Sequence, residues 1–243
     1  MCCQLRACCC SFLISAFHTM VTITYEGLNF DDDQLPEFVE SVSNHLYGKR
    51  IILNDRIARG DYKLIPFQNG FYAYVSNYIL QQDFAIELSV AKEDYLALHI
   101  NQITAGIECS MTLNGKTVSY DDKIITSVFL TSSHDKFLLS GSKGACVNRL
   151  KIMIPVSWLK KNLPAYNEAL LNNYFALQEE RLFTDALDAT YRAMVDRVMH
   201  TEDNDFYLPV SQDIVTVITE RFFDRLHSKM QKNQWGNELD KSA

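Results

Sequence analysis

Ile107-Glu108-Cys109-Ser110-Met111-Thr112-Leu113-Asn114-Gly115-Lys116-Thr117-Val118-Ser119-Tyr120 holds two β-prone runs on either side of an Asn-Gly pair. Both residues of such a pair tolerate positive φ, so the pattern is the strongest short-range signal for a hairpin. Working upstream, Tyr95 to Ile100 alternate, as do Phe84, Ile86 and Leu88. Further back, Tyr62, Leu64 and Pro66 precede Phe71, Ala73 and Val75, which alternate with Tyr72, Tyr74 and Ser76; Gln68-Asn69-Gly70 between them is a turn signal. Downstream, strands are expected at 127–131, 137–140 and 146–154. Seven or eight short strands at this spacing predict a sandwich or small barrel.

Helical spacing flanks this β region. Leu35, Phe38, Val39, Val42 and Leu46 predict a helix over 32–46, with Asp31–Asp33 at its start, Pro36 in its first turn and Gly48 as its stop. After Pro155, helices are expected at 156–163 with Trp158, at 169–180, and at 185–199 behind Thr184 as cap. The last of these would bury Leu187, Tyr191, Met194, Val195, Val198 and Met199. Pro209 and Ser211 open a long helix to about Gln231, before a polar tail. The division this implies is a doubtful extension over 1–19, a β domain over 20–155, a helical segment over 156–232 and a tail over 233–243.

On the long helix, Ile214, Ile218, Phe222 and Leu226 step by four, and such a stripe must bury against something. Packing on the preceding helix is one solution. Pairing with the same helix of a second copy is the other, and makes a homodimer the expected assembly. Arg221, Arg225, Lys229 and Lys232 run beside it, but Glu220 and Asp224 interleave, so the stripe reads as a solvated face and no DNA-binding residue is assigned.

The chain has 243 residues and a formal net charge of −7, a poor match for non-specific nucleic-acid binding. Five of seven cysteines fall in the first ten residues, and Cys109 and Cys146 read as reduced core residues in a reducing cytoplasm. The apolar run from Ala7 to Phe17 is too short to span a bilayer. Met20 is taken as the natural start, a signal or lipid-anchoring segment and a cytosolic extension being the alternatives.

No catalytic residue, metal ligand or cofactor is expected. The six histidines, His18, His45, His99, His134, His200 and His227, are scattered, whereas a metal centre inside a small β-barrel needs a His-x-His, a nearby Glu and a later His. Gly141-Ser142-Lys143-Gly144 lacks the spacing of a nucleophile elbow or a phosphate loop, and reads as a surface turn. Tyr72, Tyr74 and Tyr78 share one face of a strand. Facing inward they would line a small-molecule site. Facing outward they would be a solvent row, the favoured reading because Phe71, Ala73 and Val75 are the better core candidates.

The run Tyr62-Lys63-Leu64-Ile65-Pro66-Phe67-Gln68-Asn69-Gly70-Phe71-Tyr72-Ala73-Tyr74 resembles the early sensor strands of bacterial AraC-type transcription regulators. So do Val128-Phe129-Leu130-Thr131-Ser132-Ser133, Gly141-Ser142-Lys143-Gly144 and the placement of Trp158. The resemblance covers roughly residues 20–232. It implies an α+β fold: a cupin-like antiparallel β-barrel or sandwich that senses a small-molecule effector, then a helical dimerisation segment. The family's DNA-reading helix-turn-helix domain would follow, so the chain is expected to be a regulator truncated before it, touching DNA only through that missing part. A small cupin-type enzyme and a stand-alone interaction module are the rival expectations.

Overall fold

The computed structural model describes residues 21–26, 43–47, 50–67, 71–89, 95–104, 109–113, 115–120, 125–162, 182–183, 188–200 and 208–239. Within them the strands are β1 (Val21–Glu26), β2 (Ser43–Tyr47), β3 (Arg50–Leu53), β4 (Ala58–Pro66), β5 (Tyr72–Leu80), β6 (Phe84–Ser89) and β7 (Tyr95–Thr104). They continue as β8 (Cys109–Leu113), β9 (Lys116–Tyr120), β10 (Ile125–Ser132), β11 (Phe137–Gly141), β12 (Cys146–Pro155) and β13 (Leu182–Phe183). The helices are α1 (Val156–Asn162), α2 (Ala189–Met199) and α3 (Leu208–Leu239).

The Asn-Gly hairpin forms: Leu113 pairs with Lys116, and Gly115 has a φ of +83°. Five strands make one sheet in the order β1-β6-β11-β8-β9; eight make the other, β13-β10-β7-β12-β5-β4-β3-β2. Pairing is antiparallel except between β1 and β6. Rings from both sheets meet: Phe137 of β11 lies 5.2 Å from His99 of β7 and 6.0 Å from Phe129 of β10, centroid to centroid. The sheets therefore face each other as a sandwich, and the helices cover the outer face of the larger one.

That outer face holds the main core. Val75, Leu98, Ile100, Leu130, Leu150 and Ile152 come from the strands; Leu159, Tyr191, Val195, Val215, Ile218 and Phe223 come from the helices. Phe71 stacks on Trp158 at 4.6 Å. The α3 side chain Gln212 donates to the carbonyl of Pro66, and Gln102 Nε2 donates to Asp196 Oδ1 of α2 at 3.1 Å. Apolar burial contributes about 25 cal/mol per Å², so this shared core holds the helices on the sheet.

The structure corrects several expectations. Residues 43–47 are a strand, not the end of a helix; Tyr47 pairs with Arg50, leaving only Gly48 and Lys49 between β2 and β3. A glycine that reads as a helix stop reads equally well as a hairpin residue. The cap of α2 is Asp188, whose Oδ1 accepts from the Tyr191 amide at 2.8 Å, rather than Thr184. The long helix runs on to Leu239, so the expected polar tail begins as helix. The dimer stripe is corrected too: Ile218, Phe222 and Leu226 are buried, and Ile214 packs half-buried against them, in the core of a single chain. A face already covered by α2 and the sheet is closed to a second copy. Residues 32–42 of the helix expected at 32–46, and the whole of the helix expected at 169–180, lie outside the described residues.

Candidate functional site

β12 is the centre of the larger sheet, between β5 and β7. Side chains alternate along a strand. Leu150, Ile152 and Ile154 enter the helix-covered core. Val147, Arg149, Lys151 and Met153 therefore face the smaller sheet. Register fixes their neighbours. Lys151 lies between His99 of β7 and Tyr74 of β5; Arg149 lies between Asn101 and Ser76. Directly paired residues share a face, with neighbouring strands about 4.8 Å apart. Two polar rows thus cross the sandwich interior side by side.

Both rows are shut away from water. His99 and Asn101 are 0 % exposed, Lys151 5 % and Arg149 6 %. Arg149 Nε donates to Asn101 Oδ1 at 2.8 Å. His99 Nε2 and Thr131 Oγ1 are 2.9 Å apart, the donor depending on the tautomer. Phe129 stacks on the His99 ring at 4.4 Å, nearly parallel. The rest of the donor set is idle: Arg149 Nη2, Asn101 Nδ2 and His99 Nδ1 are buried without a partner among the described residues. No ion pair there involves Arg149 or Lys151 either.

Electrostatics follow from that arrangement. Burial, then the Arg149 charge, lowers the Lys151 ammonium from 10.5 to about 7. Burial, then Lys151 and Arg149, hold His99 well below its usual 6.5, so it is a neutral ring. Burial and the neighbouring Tyr72 push the Tyr95 hydroxyl up to about 12, and burial raises Tyr74 as well. The interior is short of negative charge: its cations are desolvated and face no carboxylate among the described residues.

Of the residues singled out in the sequence, Tyr74 and Tyr78 are buried and Tyr72 half-buried on this same inward face. The favoured solvent-facing reading of the row is thereby overturned, because the smaller sheet covers it. Tyr74 borders Lys151, and Tyr72 packs by Tyr74 with ring centroids 5.5 Å apart. Tyr78 fits against Gly60, where a Cβ would come within 2.8 Å of the tyrosine's own Cβ. Sequence reasoning missed Asn101, Arg149 and Lys151. Their signal is the string Arg149-Leu150-Lys151-Ile152, which looks like a half-exposed strand until the second sheet is in place. The turn at Ser142–Ala145 bridges β11 and β12, with Lys143 and Gly144 exposed and the Lys143 amide donating to Asp83 Oδ1 at 2.9 Å. Cys146 is a free, half-buried thiol. No group of three potential metal ligands occurs among the described residues, and no helix there is long and apolar enough to cross a membrane.

Two facing, mostly antiparallel sheets with helices on one outer face define an α+β, cupin-like sandwich. No family model matches the chain, and no curated protein matches it. Among solved structures it is similar to the Schizosaccharomyces pombe Cnp3 cupin domain, at 14% identity over 42% of this chain and 69% of that one, with a TM-score of 0.25. It is also similar to a predicted oxalate decarboxylase from Thermotoga maritima, at 16% identity over 48% of this chain and 96% of that one, TM-score 0.27. A third likeness is to the AraC-like transcriptional activator CuxR, at 10% identity, covering 68% of this chain and 61% of that one, TM-score 0.34. These likenesses concern the fold, and no function is argued from them.

Proposed function

We propose that the chain is a ligand-sensing module of the AraC regulator type, which holds a small molecule between its two sheets and does not transform it. The observation that carries this reading is the set of buried, idle hydrogen-bonding groups on Arg149, Asn101 and His99. Leaving a polar group buried and unpaired costs about 1–3 kcal/mol, and more for a charged one. A fold that keeps three such groups in one place is organised for a partner that satisfies them.

The order of strands then helices supports the regulatory side. β12 carries the polar rows on one face and the helix-packing residues Leu150 and Ile152 on the other. A ligand that shifts β12 therefore acts directly on α2 and α3, the elements that would pass a signal on. In this reading a homodimer uses the solvent side of α3, where Val210 and Val217 are exposed. DNA is contacted by the family's helix-turn-helix domain and not by these residues.

The test is a thermal-shift screen of the full chain against a metabolite collection. A ligand present at 100 times its Kd stabilises the folded state by about 2.7 kcal/mol, which is about 5–10 °C in a chain of this size. A flat response across the collection would remove the sensing function and leave an interaction module. Stoichiometric iron, manganese or zinc on the purified protein would instead favour a cupin-type enzyme.

A further inference from the structure

We propose that the molecule held between the sheets is a small oxyanion, a carboxylate or a phosphate, clamped by Arg149 and Lys151 with Asn101 and His99 as neutral partners. This rests on the sensing function proposed above and names its ligand class.

Charge balance in the sandwich interior calls for an anion. Buried charges in folded proteins are normally paired or hydrogen-bonded, because desolvation is too costly otherwise. Here two basic side chains sit two positions apart on one strand, about 6.7 Å between Cα atoms, and both are almost completely buried. Among the described residues neither has an anionic partner. The titratable neighbours facing Lys151 are Arg149 on its own strand, His99 on β7 and Tyr74 on β5. None of them carries negative charge at neutral pH, Tyr74 because its hydroxyl is raised still further above its usual value. From the opposite sheet the apolar ring of Phe137 packs on His99.

The idle atoms match an oxyanion in kind. Arg149 has one nitrogen tied to Asn101 through Nε and leaves Nη2 for another acceptor. Asn101 Nδ2 is a donor without an acceptor. With Nε2 accepting from Thr131, His99 Nδ1 is a third donor. A guanidinium suits an oxygen pair, and an ammonium beside it adds a point charge. A neutral sugar or amide would leave both cations uncompensated.

The test is isothermal titration of the full chain at pH 6.5 with paired probes of one shape and different charge: acetate against acetamide, benzoate against benzamide, and inorganic phosphate. Acetate or benzoate alone binding marks a carboxylate site; phosphate alone binding marks a phosphate site. Either result supports the proposal if Lys151→Met and Arg149→Met each weaken the anion at least tenfold while keeping a cooperative thermal transition. Arg149→Lys, which retains the charge, should restore part of the affinity. Saturable binding of the neutral probes at equal strength would overturn the oxyanion assignment and leave the sensing function intact. Anion affinity unchanged in both Met variants would place the anion elsewhere and overturn it too. If neither these probes nor the metabolite collection bind, both proposals fall together.

Discussion

Replacing Lys151 by Met should make the ligand-free protein more stable, not less. The folded structure lowers the Lys151 ammonium from 10.5 to about 7. Each pH unit of displacement corresponds to about 1.36 kcal/mol, so the full penalty for burying the charged form is of the order of 5 kcal/mol. At pH 7 half the folded molecules escape it by releasing the proton, and about 4 kcal/mol remains. Replacing buried ionic groups by apolar ones of similar volume gains about 1–4 kcal/mol, so a gain within that range, with about 4 kcal/mol as its ceiling at pH 7, is expected here. For a chain of this length each kcal/mol moves Tm by about 2–4 °C. The sign of the pH dependence follows. Below about pH 7 the lysine is charged in both states and the penalty is complete. Between 7 and 10.5 the unfolded chain holds a proton that the folded chain has given up, so wild-type stability rises with pH. Urea unfolding of wild type and Lys151→Met at pH 6, 7.5 and 9 should show the variant ahead by the most at pH 6, with the gap closing towards pH 9. A variant that is less stable at pH 6, or a gap that does not change with pH, would refute the idea that Lys151 is an uncompensated buried cation.

Three further outcomes are expected. Gly60→Ala places a Cβ 2.1 Å from the Asn77 carbonyl oxygen at a φ of +144°; overpacking of this kind costs about 1–3 kcal/mol, to which the backbone strain adds, and a Tm within a degree of wild type would show that β4 can move away from Tyr78. Ile218→Ala should cost about 2–5 kcal/mol, as for other buried aliphatic truncations, and the loss should be the same at 1 µM and 100 µM protein (our choice of about a hundredfold range), since the residue is buried within one chain; a loss that appears only at high concentration would return the stripe to a dimer interface. His99 is held neutral, so as the pH falls below 6.5 the unfolded chain gains a proton first and stability drops, by up to about 2 kcal/mol at pH 5; His99→Gln should lose that part of the acid sensitivity in unfolding curves at pH 5 and 7.

Much of the β region is legible without coordinates, because half-buried strands write their pleat into the sequence. The hairpin at Asn114-Gly115 and the alternation through Phe71, Ala73 and Val75 need only local information. What local information cannot show is a second sheet. Alternation states that a strand has two unlike faces, but not that both are covered. Arg149 and Lys151 alternate with Leu150 and Ile152 as a solvent face would, and the tyrosines of β5 do the same against Ala73 and Val75. The candidate site lies in that blind spot. The helix stripe on α3 fails for a related reason: spacing by four demands burial and is silent on whose surface provides it. The strand at 43–47 is a matter of context again, since Val42 and Leu46 are four apart whatever the backbone does, and pairing with β3 decides.

The position of β12 also governs how the molecule can be made. β5 and β7, its two partners, are not neighbours of each other; β12 lies between them and pairs with both from Cys146 to Met153. A ribosome emits β5 and β7 long before β12, so the growing chain carries two open strand edges that only residues 146–155 can close. Unpaired edges invite pairing with other chains. Synthesis slowed between β7 and β12 should therefore raise aggregation more than an equal delay after Pro155, when those two edges are already closed.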